Sequence, residues 1–207
     1  MKLLVATRSP GKQDEIRRLL GGAPHEVVFP DEVGLWPVAE EDGLESADSF
    51  AGNARRKAEH FARRSGLATV ADDSGLEVLS LGGAPGVRSR RWAGADGTEA
   101  EVDRANNAEL LRRLLGAAEP RRRARYRCVL VLLRAAGAVP ETFEGTCAGT
   151  ILEAPLGDGG FGYDPLFLSD DLGKTFGQAT REEKAAVSHR GRAFIALLEA
   201  LGTGEGG

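Results

Sequence analysis

The amino-terminal segment KLLVATRSPGKQDEIRRLL (residues 2–20) places a short apolar run directly before an amphipathic stretch. Residues 2–6 predict a buried strand, and the apolar residues within 12–20 recur at helical spacing. Ser9 and Pro10 are residue types that commonly begin a helix, at its cap and in its first turn. A strand followed so closely by a helix favours a sheet covered by helices, with helix N–H groups available to an anion.

Apolar runs and amphipathic stretches continue to alternate along the chain. Strands are predicted at 25–29, 67–71, 76–81, 124–134 and 139–152, with a short strand at the end of the glycine-rich segment 157–168. Helices are predicted from near 46–49 to Gly66, over 98–116 and over 180–202. The two longest strands are expected to pair in antiparallel fashion, which argues against a purely parallel sheet. The sequence therefore predicts an α/β fold with a central mixed sheet flanked by helices.

Bulk composition narrows the class of partner. The 207 residues carry a formal net charge of −4 and are 42% hydrophobic, which fits one domain over 1–202 with a flexible tail at 203–207. This balance gives no reason to expect a nucleic-acid polymer. No apolar run approaches the roughly 18 residues of a membrane span, so a soluble, cytoplasmic protein is expected. Cys128 and Cys147 are expected to be buried free thiols.

Two segments place cations where a phosphate could bind. The chain has five lysines against 22 arginines, and in that background a lysine suggests a need for a compact ammonium group. TRSPGK (Thr7 to Lys12) is either a tight turn or an anion site at a helix start, and its spacing does not fit a Walker A loop. Asn53 and Lys57 share one helix face, which is either solvated or directed into a cleft.

Two adjacent carboxylates, Asp72 and Asp73, follow the apolar run LATVA. They repel each other and resist burial, so something must compensate for both. One explanation is a strand that ends in a loop, because Asp and Ser are common in turns. The other is Mg²⁺, which binds one or two carboxylates together with substrate phosphates. Glu41, in the acidic loop at 37–48, is then a plausible second ligand.

The segments GGFGYDP and EKAAVSHR carry features suited to a nucleotide base. Phe161 and Tyr163 are either core residues or a platform for a purine, with Asp164 able to accept from base N–H groups. His189 and Arg190 lie on a helix that is amphipathic without them, which favours a binding role. No serine, cysteine or histidine spacing indicates a covalent nucleophile. The motifs together predict Mg²⁺-assisted phosphoryl chemistry on a nucleotide, with water as the nucleophile.

In combination and order, these motifs resemble the inosine triphosphate pyrophosphatase family, also called Ham1-like. The matching segments are TRSPGK, FAGNARRKA, ADDSGLEV, LGGAPGVRSRRWAG, GGFGYDPLF and KTFGQATREEKAAVSHR, which spread over residues 7–190. The resemblance implies an elongated fold of two lobes with a substrate cleft between them, and a homodimer. It also implies Mg²⁺-dependent hydrolysis of inosine, deoxyinosine and xanthosine triphosphates (ITP, dITP and XTP) to the monophosphate and pyrophosphate, which removes deaminated purines from the nucleotide pool.

The resemblance also assigns roles by position. It implies that Asp73 is the catalytic proton acceptor and a metal ligand, and that Glu41 is the other metal-binding carboxylate. Substrate contacts are implied for Thr7, Arg8, Ser9, Pro10, Gly11, Lys12, Asn53, Lys57, Ser74, Phe161, Gly162, Tyr163, Asp164, Lys184, His189 and Arg190. Ser9 stands where the first motif usually has asparagine. Two alternatives stay open: a related pyrophosphatase with another base preference, and a nucleotide sensor without catalysis.

Overall fold

A computed structural model describes residues 1–22 and 24–202, so the tail predicted at 203–207 lies outside the described residues. The strands are β1 (Lys2–Val5), β2 (Glu26–Val28), β3 (Ala68–Val78), β4 (Arg123–Leu133), β5 (Glu141–Ile151) and β6 (Phe167–Ser169). The helices are α1 (Pro10–Leu19), α2 (Phe50–Ser65), α3 (Glu99–Arg113), α4 (Arg181–Val187) and α5 (His189–Gly202). Within the described residues, no helix is long and apolar enough to cross a membrane.

The strands form a sheet in the order β2-β1-β3-β4-β5-β6. Strand β1 pairs in parallel with both β2 and β3, whereas β6 is antiparallel to β5. The predicted α/β fold with a mixed central sheet is therefore confirmed, and β4 and β5 are neighbours as expected. The predicted cleft between two lobes stays a prediction.

The described chain divides into two compact units. The first unit comprises residues 1–73, 128–145 and the chain from 192 onwards, and the second comprises 74–127 and 146–191. The first unit has two apolar clusters. One contains residues of α1 and α5, and the other contains the inner face of α2. The second unit has one cluster, built mainly on α3, β4 and the aromatic residues of 163–176. Cys128 and Cys147 are buried free thiols, as predicted.

Strand β3 differs from the prediction of two strands separated by a loop. It runs without interruption through Asp72 and Asp73, which are only 1% and 6% exposed. A strand can keep two buried carboxylates only if cations or donors neutralise them. Side chains from α1 and α2 supply that compensation, as described below. The surrounding charges therefore affect the backbone conformation at Asp72 and Asp73 more than the tendency of Asp and Ser to form turns.

The predicted helix over 180–202 is also two helices, α4 and α5. The break is at Ser188, whose backbone is extended (φ −68°, ψ 156°). Its Oγ accepts a hydrogen bond of 3.0 Å from the N–H of Gly191, so it caps the start of α5. A Cβ at Gly191 would lie 2.0 Å from the carbonyl oxygen of Ala185. Glycine at position 191 therefore allows the close contact with Ala185. The break at Ser188 places His189 and Arg190 in the first turn of α5.

Candidate active site

In the first unit, Asp73 is held by two side chains of α2. Asn53 Nδ2 donates to Asp73 Oδ2 at 2.9 Å, and Lys57 Nζ lies 3.7 Å from Asp73 Oδ1. The helix begins at the predicted cap, since Ser49 Oγ accepts from Gly52 N. Its i, i+4 spacing then turns Asn53 and Lys57 towards the same carboxylate. Asn53 and Lys57 are both buried, so this face of α2 is not solvated.

Three more charged side chains complete this group: Lys12, Asp72 and Glu45. Lys12 Nζ lies 2.9 Å from Asp72 Oδ2. Glu45 Oε1 accepts from Lys57 Nζ at 2.6 Å. We call the group the carboxylate cluster; its members are Lys12, Glu45, Asn53, Lys57, Asp72 and Asp73. These six side chains include three carboxylates and two ammonium groups, so their net charge is about −1 when all five are ionised.

The protonation behaviour of the cluster follows from its burial and its charges. Burial raises the pKa of Asp73, and the attraction of Lys57 and Lys12 only partly opposes this. Burial acts in the same direction on Glu45, but Lys57 and Lys12 outweigh it, so the pKa of Glu45 is lowered. Burial would lower the pKa of Lys57, yet the nearby carboxylates raise it. Asp73 is therefore a stronger base than an ordinary aspartate.

Glu41, predicted as a metal ligand, lies among arginines. Arg8 Nε donates to Glu41 Oε2 at 2.6 Å, and Arg64 Nη1 donates to Glu41 Oε1 at 2.8 Å. Hydrogen bonding to Arg8 and its charge oppose the effect of burial and lower the pKa of Glu41. Both carboxylate oxygens are thus already paired with guanidinium groups. The same contacts turn Arg8, predicted as a phosphate ligand, towards the acidic loop.

Glu45 is the carboxylate that the sequence reasoning missed. The acidic loop offers several candidates within a few residues, and spacing alone does not choose between them. The loop is anchored to α2 by the bond from Ala47 N to Asn53 Oδ1, at 2.8 Å. That anchor places Glu45 beside Lys57. Glu45 could have been identified by its short separation in sequence from Ser49, the cap of α2.

The donor set of the carboxylate cluster fits a hard divalent cation. Glu45 and Asp73 share one cationic partner, Lys57 Nζ, which lies 2.6 Å from Glu45 Oε1 and 3.7 Å from Asp73 Oδ1, so the two carboxylates are close to each other. No group of three or more His, Cys, Asp or Glu side chains with metal-site geometry occurs among residues 1–22 and 24–202. Mg²⁺ does not require such a group, because it commonly binds one or two carboxylates and takes its other ligands from water and phosphate.

The predicted anion site at the start of α1 adjoins the cluster through Lys12. Ser9 occupies the cap position and Pro10 the first helical position, as predicted, although the Ser9 side chain makes no capping bond. Thr7 is buried, and its carbonyl accepts from Gln13 Nε2 at 3.0 Å. This bond folds the TRSPGK segment back on the helix. Gly11 lies in the first turn of α1, where backbone N–H groups have no partner within the helix itself.

The second unit gathers the predicted base-binding residues. Asp164 Oδ2 accepts from Lys184 Nζ at 2.6 Å and from Phe161 N at 2.9 Å, and Asp164 Oδ1 lies 3.3 Å from the Tyr126 hydroxyl. Lys184 Nζ also lies 4.7 Å from the centroid of the Phe161 ring, which is 36% exposed. Asp164 therefore binds protein donors with both oxygens, which does not favour its predicted role as acceptor for base N–H groups.

The remaining predicted residues of the second unit join the same group. Arg190 Nη2 donates to Ser74 Oγ at 2.8 Å, and its guanidinium lies 5.9 Å from the Phe161 centroid. His189 stacks on Tyr126 with 4.7 Å between centroids. We call this group the aromatic cluster; its members are Ser74, Tyr126, Phe161, Asp164, Lys184, His189 and Arg190. Tyr163 is a core residue, since it is buried and its hydroxyl donates to Ser89 O at 2.8 Å.

The profile of the Ham1 family matches residues 3–200 of the chain. The chain belongs to the Ham1 family. This confirms the resemblance inferred from the motifs. The matched residues include every member of the carboxylate cluster and of the aromatic cluster.

Ham1-family relatives cover nearly the whole chain. It is 45% identical to the dITP/XTP pyrophosphatase of Anaeromyxobacter sp. (strain Fw109-5), over 97% of this chain and 98% of that protein. It is 49% identical to the dITP/XTP pyrophosphatase of Syntrophobacter fumaroxidans (strain DSM 10017 / MPOB), over 94% of this chain and 79% of that protein. The solved structure of a HAM1 protein from Coxiella burnetii is 32% identical and superposes with a TM-score of 0.85, covering 98% and 99% of the two chains.

Proposed function

We propose that the protein hydrolyses dITP, ITP and XTP to the nucleoside monophosphate and pyrophosphate, and so removes deaminated purines from the nucleotide pool. The observation that carries this proposal is Asp73, a buried carboxylate of raised pKa held between Asn53 and Lys57. The names of the Ham1-family relatives support the same substrates and the same cleavage. A nucleotide sensor would have no need of such a base, so the catalytic reading is favoured.

The reaction adds water across the α–β phosphoanhydride bond. A water oxygen bonds to phosphorus, the anhydride P–O bond breaks, and pyrophosphate leaves. We propose that Asp73 accepts the water proton, because it is a buried carboxylate held in place by Asn53 and Lys57. Lys12, Lys57 and the N–H groups at the start of α1 bind the triphosphate and stabilise the charge that develops on it.

We propose Glu45 and Asp73 as the protein ligands of Mg²⁺, with Glu45 in place of the predicted Glu41. Glu45 shares Lys57 with Asp73, whereas Glu41 is paired with two arginines. The bound ion would neutralise phosphate charge. Because the ion and the triphosphate carry opposite charges and would share these ligands, phosphate and metal are expected to bind together.

We propose that the aromatic cluster recognises the base. The exposed Phe161 ring offers a face on which a purine stacks. Lys184 and Arg190 stand beside that ring and are donors only. The 6-keto oxygen of inosine or xanthosine accepts such bonds, whereas the 6-amino group of adenine is itself a donor. Adenine therefore presents a donor where these side chains call for an acceptor, which disfavours ATP.

The family resemblance supports three further parts of the proposal. The chain over 1–202 would act as a single two-lobed domain, with the substrate bound in its cleft. It would be a cytoplasmic homodimer, and its partner would be a small nucleotide rather than a nucleic-acid polymer. Light scattering of the purified protein tests the dimer: a mass of twice 21.9 kDa is expected, and a mass near 21.9 kDa would contradict it.

The reaction is tested by incubating the protein with dITP, ITP, XTP, ATP and GTP in Mg²⁺ and separating the products. We expect the monophosphate and pyrophosphate from the first three nucleotides. Orthophosphate as the first product would place the cleavage at another bond. Faster turnover of a pyrimidine triphosphate, added to the same panel, would show a different base preference.

A further inference from the structure

The glycine-rich loop that carries Phe161 is held by helix α3. Asp103 Oδ2 accepts from Gly162 N at 2.7 Å, and Asn107 Nδ2 donates to Gly162 O at 3.0 Å. Asp103 and Asn107 are one helical turn apart, so they face the same side of α3. Both backbone polar groups of the residue next to Phe161 are therefore bound by two side chains that lie 59 and 55 residues away in the sequence.

The loop needs an external support of this kind. It contains Gly160 and Gly162 in the left-handed conformation (φ +72° and +64°), which glycine adopts more easily than other residues. Glycine also loses more backbone freedom on folding than other residues, so ordering this loop is costly. The N–H of Phe161 is bound by Asp164 within the same turn. Contacts inside the turn fix its shape, whereas Asp103 and Asn107 fix its position in the second unit.

Neither contact is explained by the folding of α3 itself. Asp103 is half-buried, away from the capped first turn where an acidic side chain stabilises a helix. The Oδ1 atom of Asn107 is buried and accepts no hydrogen bond within residues 1–22 and 24–202. An unsatisfied buried oxygen destabilises the fold. The hydrogen bond from Asn107 Nδ2 to Gly162 O is the favourable contact that offsets this cost.

We propose that Asp103 and Asn107 are positioning residues that set the Phe161 ring at the height where it stacks on the base. The inference rests on the proposed function, in which Phe161 is the base platform. It predicts that both residues affect the binding of a nucleotide with a base and leave the binding of a bare triphosphate unchanged. Neither side chain touches the substrate in this proposal; each acts through Gly162.

The test compares kinetics with dITP and inhibition by inorganic tripolyphosphate, which has no base. Phe161→Ala should raise the KM for dITP about tenfold, the loss of one stacking contact. Asp103→Ala and Asn107→Ala should each raise that KM about fivefold, with kcat changed less than about twofold. The inhibition constant of tripolyphosphate should stay the same in all of them. Asp103→Asn keeps an oxygen for the Gly162 N–H and should restore most of the loss.

The double variant Asp103→Ala/Phe161→Ala separates positioning from a general loss of structure. If Asp103 acts through the ring, the double variant should have the KM of Phe161→Ala alone. Arg104→Ala is the matched control and should match the wild type, because Arg104 is an exposed neighbour whose Nε donates to Ala100 O of the same helix. Should Asp103→Ala not fold, Asn107→Ala decides the question by itself.

The outcomes separate the two proposals. A raised KM in Phe161→Ala with a normal KM in the Asp103 and Asn107 variants overturns the positioning role and leaves the base platform standing. Additive effects in the double variant also overturn it. A normal KM in Phe161→Ala overturns the base platform, and the positioning role with it. An inhibition constant of tripolyphosphate that rises in step with the KM would show a structural role only.

Discussion

Lys12→Met should destabilise the fold, because it removes a cation that is paired with a buried carboxylate. Asp72 is 1% exposed, and its Oδ2 lies 2.9 Å from Lys12 Nζ. At an effective dielectric constant of about 20, that attraction is about 6 kcal/mol before desolvation is subtracted. Breaking a fully buried pair costs roughly 3–5 kcal/mol. Lys12 is 18% exposed and Lys57 also attracts Asp72, so we expect a loss of about 2–3 kcal/mol.

Thermal unfolding without nucleotide measures this loss. For a chain of this size, about 2–3 kcal/mol corresponds to a fall in Tm of roughly 5–10 °C. Lys12→Met/Asp72→Asn also removes the buried charge that Lys12 attracts and should recover most of the fall. Lys2→Met breaks an exposed pair with Glu26 and should leave Tm within about 2 °C. A fall below about 2 °C in Lys12→Met, or a double variant no more stable than it, would refute the claim that Lys12 is what allows β3 to bury Asp72.

Three further predictions concern other parts of the molecule. Glu45→Gln should raise the Mg²⁺ concentration for half-maximal activity about tenfold, whereas Glu41→Gln should leave it within about twofold; the reverse order in a Mg²⁺ titration would restore Glu41 as the ligand. Gly191→Ala should lower Tm by several degrees, since its Cβ would meet Ala185 O. NMR titration of Glu109 should give a pKa of about 2, because two arginines of α3 donate to it. Its stabilising effect should be complete above its ordinary pKa near 4.5 and be lost as pH falls towards 2; an ordinary pKa would contradict this.

Local sequence signals predicted most elements of the fold. Ser49 and Gly66 mark the ends of α2, and Thr98 begins α3 with a capping box to Glu101, because these residues act within one turn of the backbone. The prediction for β3 was wrong at Asp72 and Asp73, because the deciding interactions there come from residues distant in the sequence. The loop expected at Asp72 depends on turn tendency, which distant charges overrode, and a single sequence does not show which lysine will lie beside it.

The contacts within the candidate site could be predicted only where they depend on local spacing. The grouping of Asn53 with Lys57 on one face of α2 could be predicted because their spacing is local; their role in a site stays a prediction. Glu41 and Glu45 lie in one acidic loop, and the choice between them depends on which arginines and lysines the fold brings near. The contact of Asp103 with Gly162 joins two segments 59 residues apart. No pattern in either segment indicates it, so only the folded structure could bring it to light.

The most direct test of the central claim is the turnover of dITP by Asp73→Asn, measured as pyrophosphate released in Mg²⁺. The substitution keeps the shape of the side chain and removes the base. We predict a rate at least about 100-fold below that of the wild type, with Tm and the circular dichroism spectrum retained. Asp96→Asn, at an exposed position, is the control and should keep the wild-type rate. A wild-type rate in Asp73→Asn would contradict the account, because proton transfer to Asp73 could then not be part of the reaction.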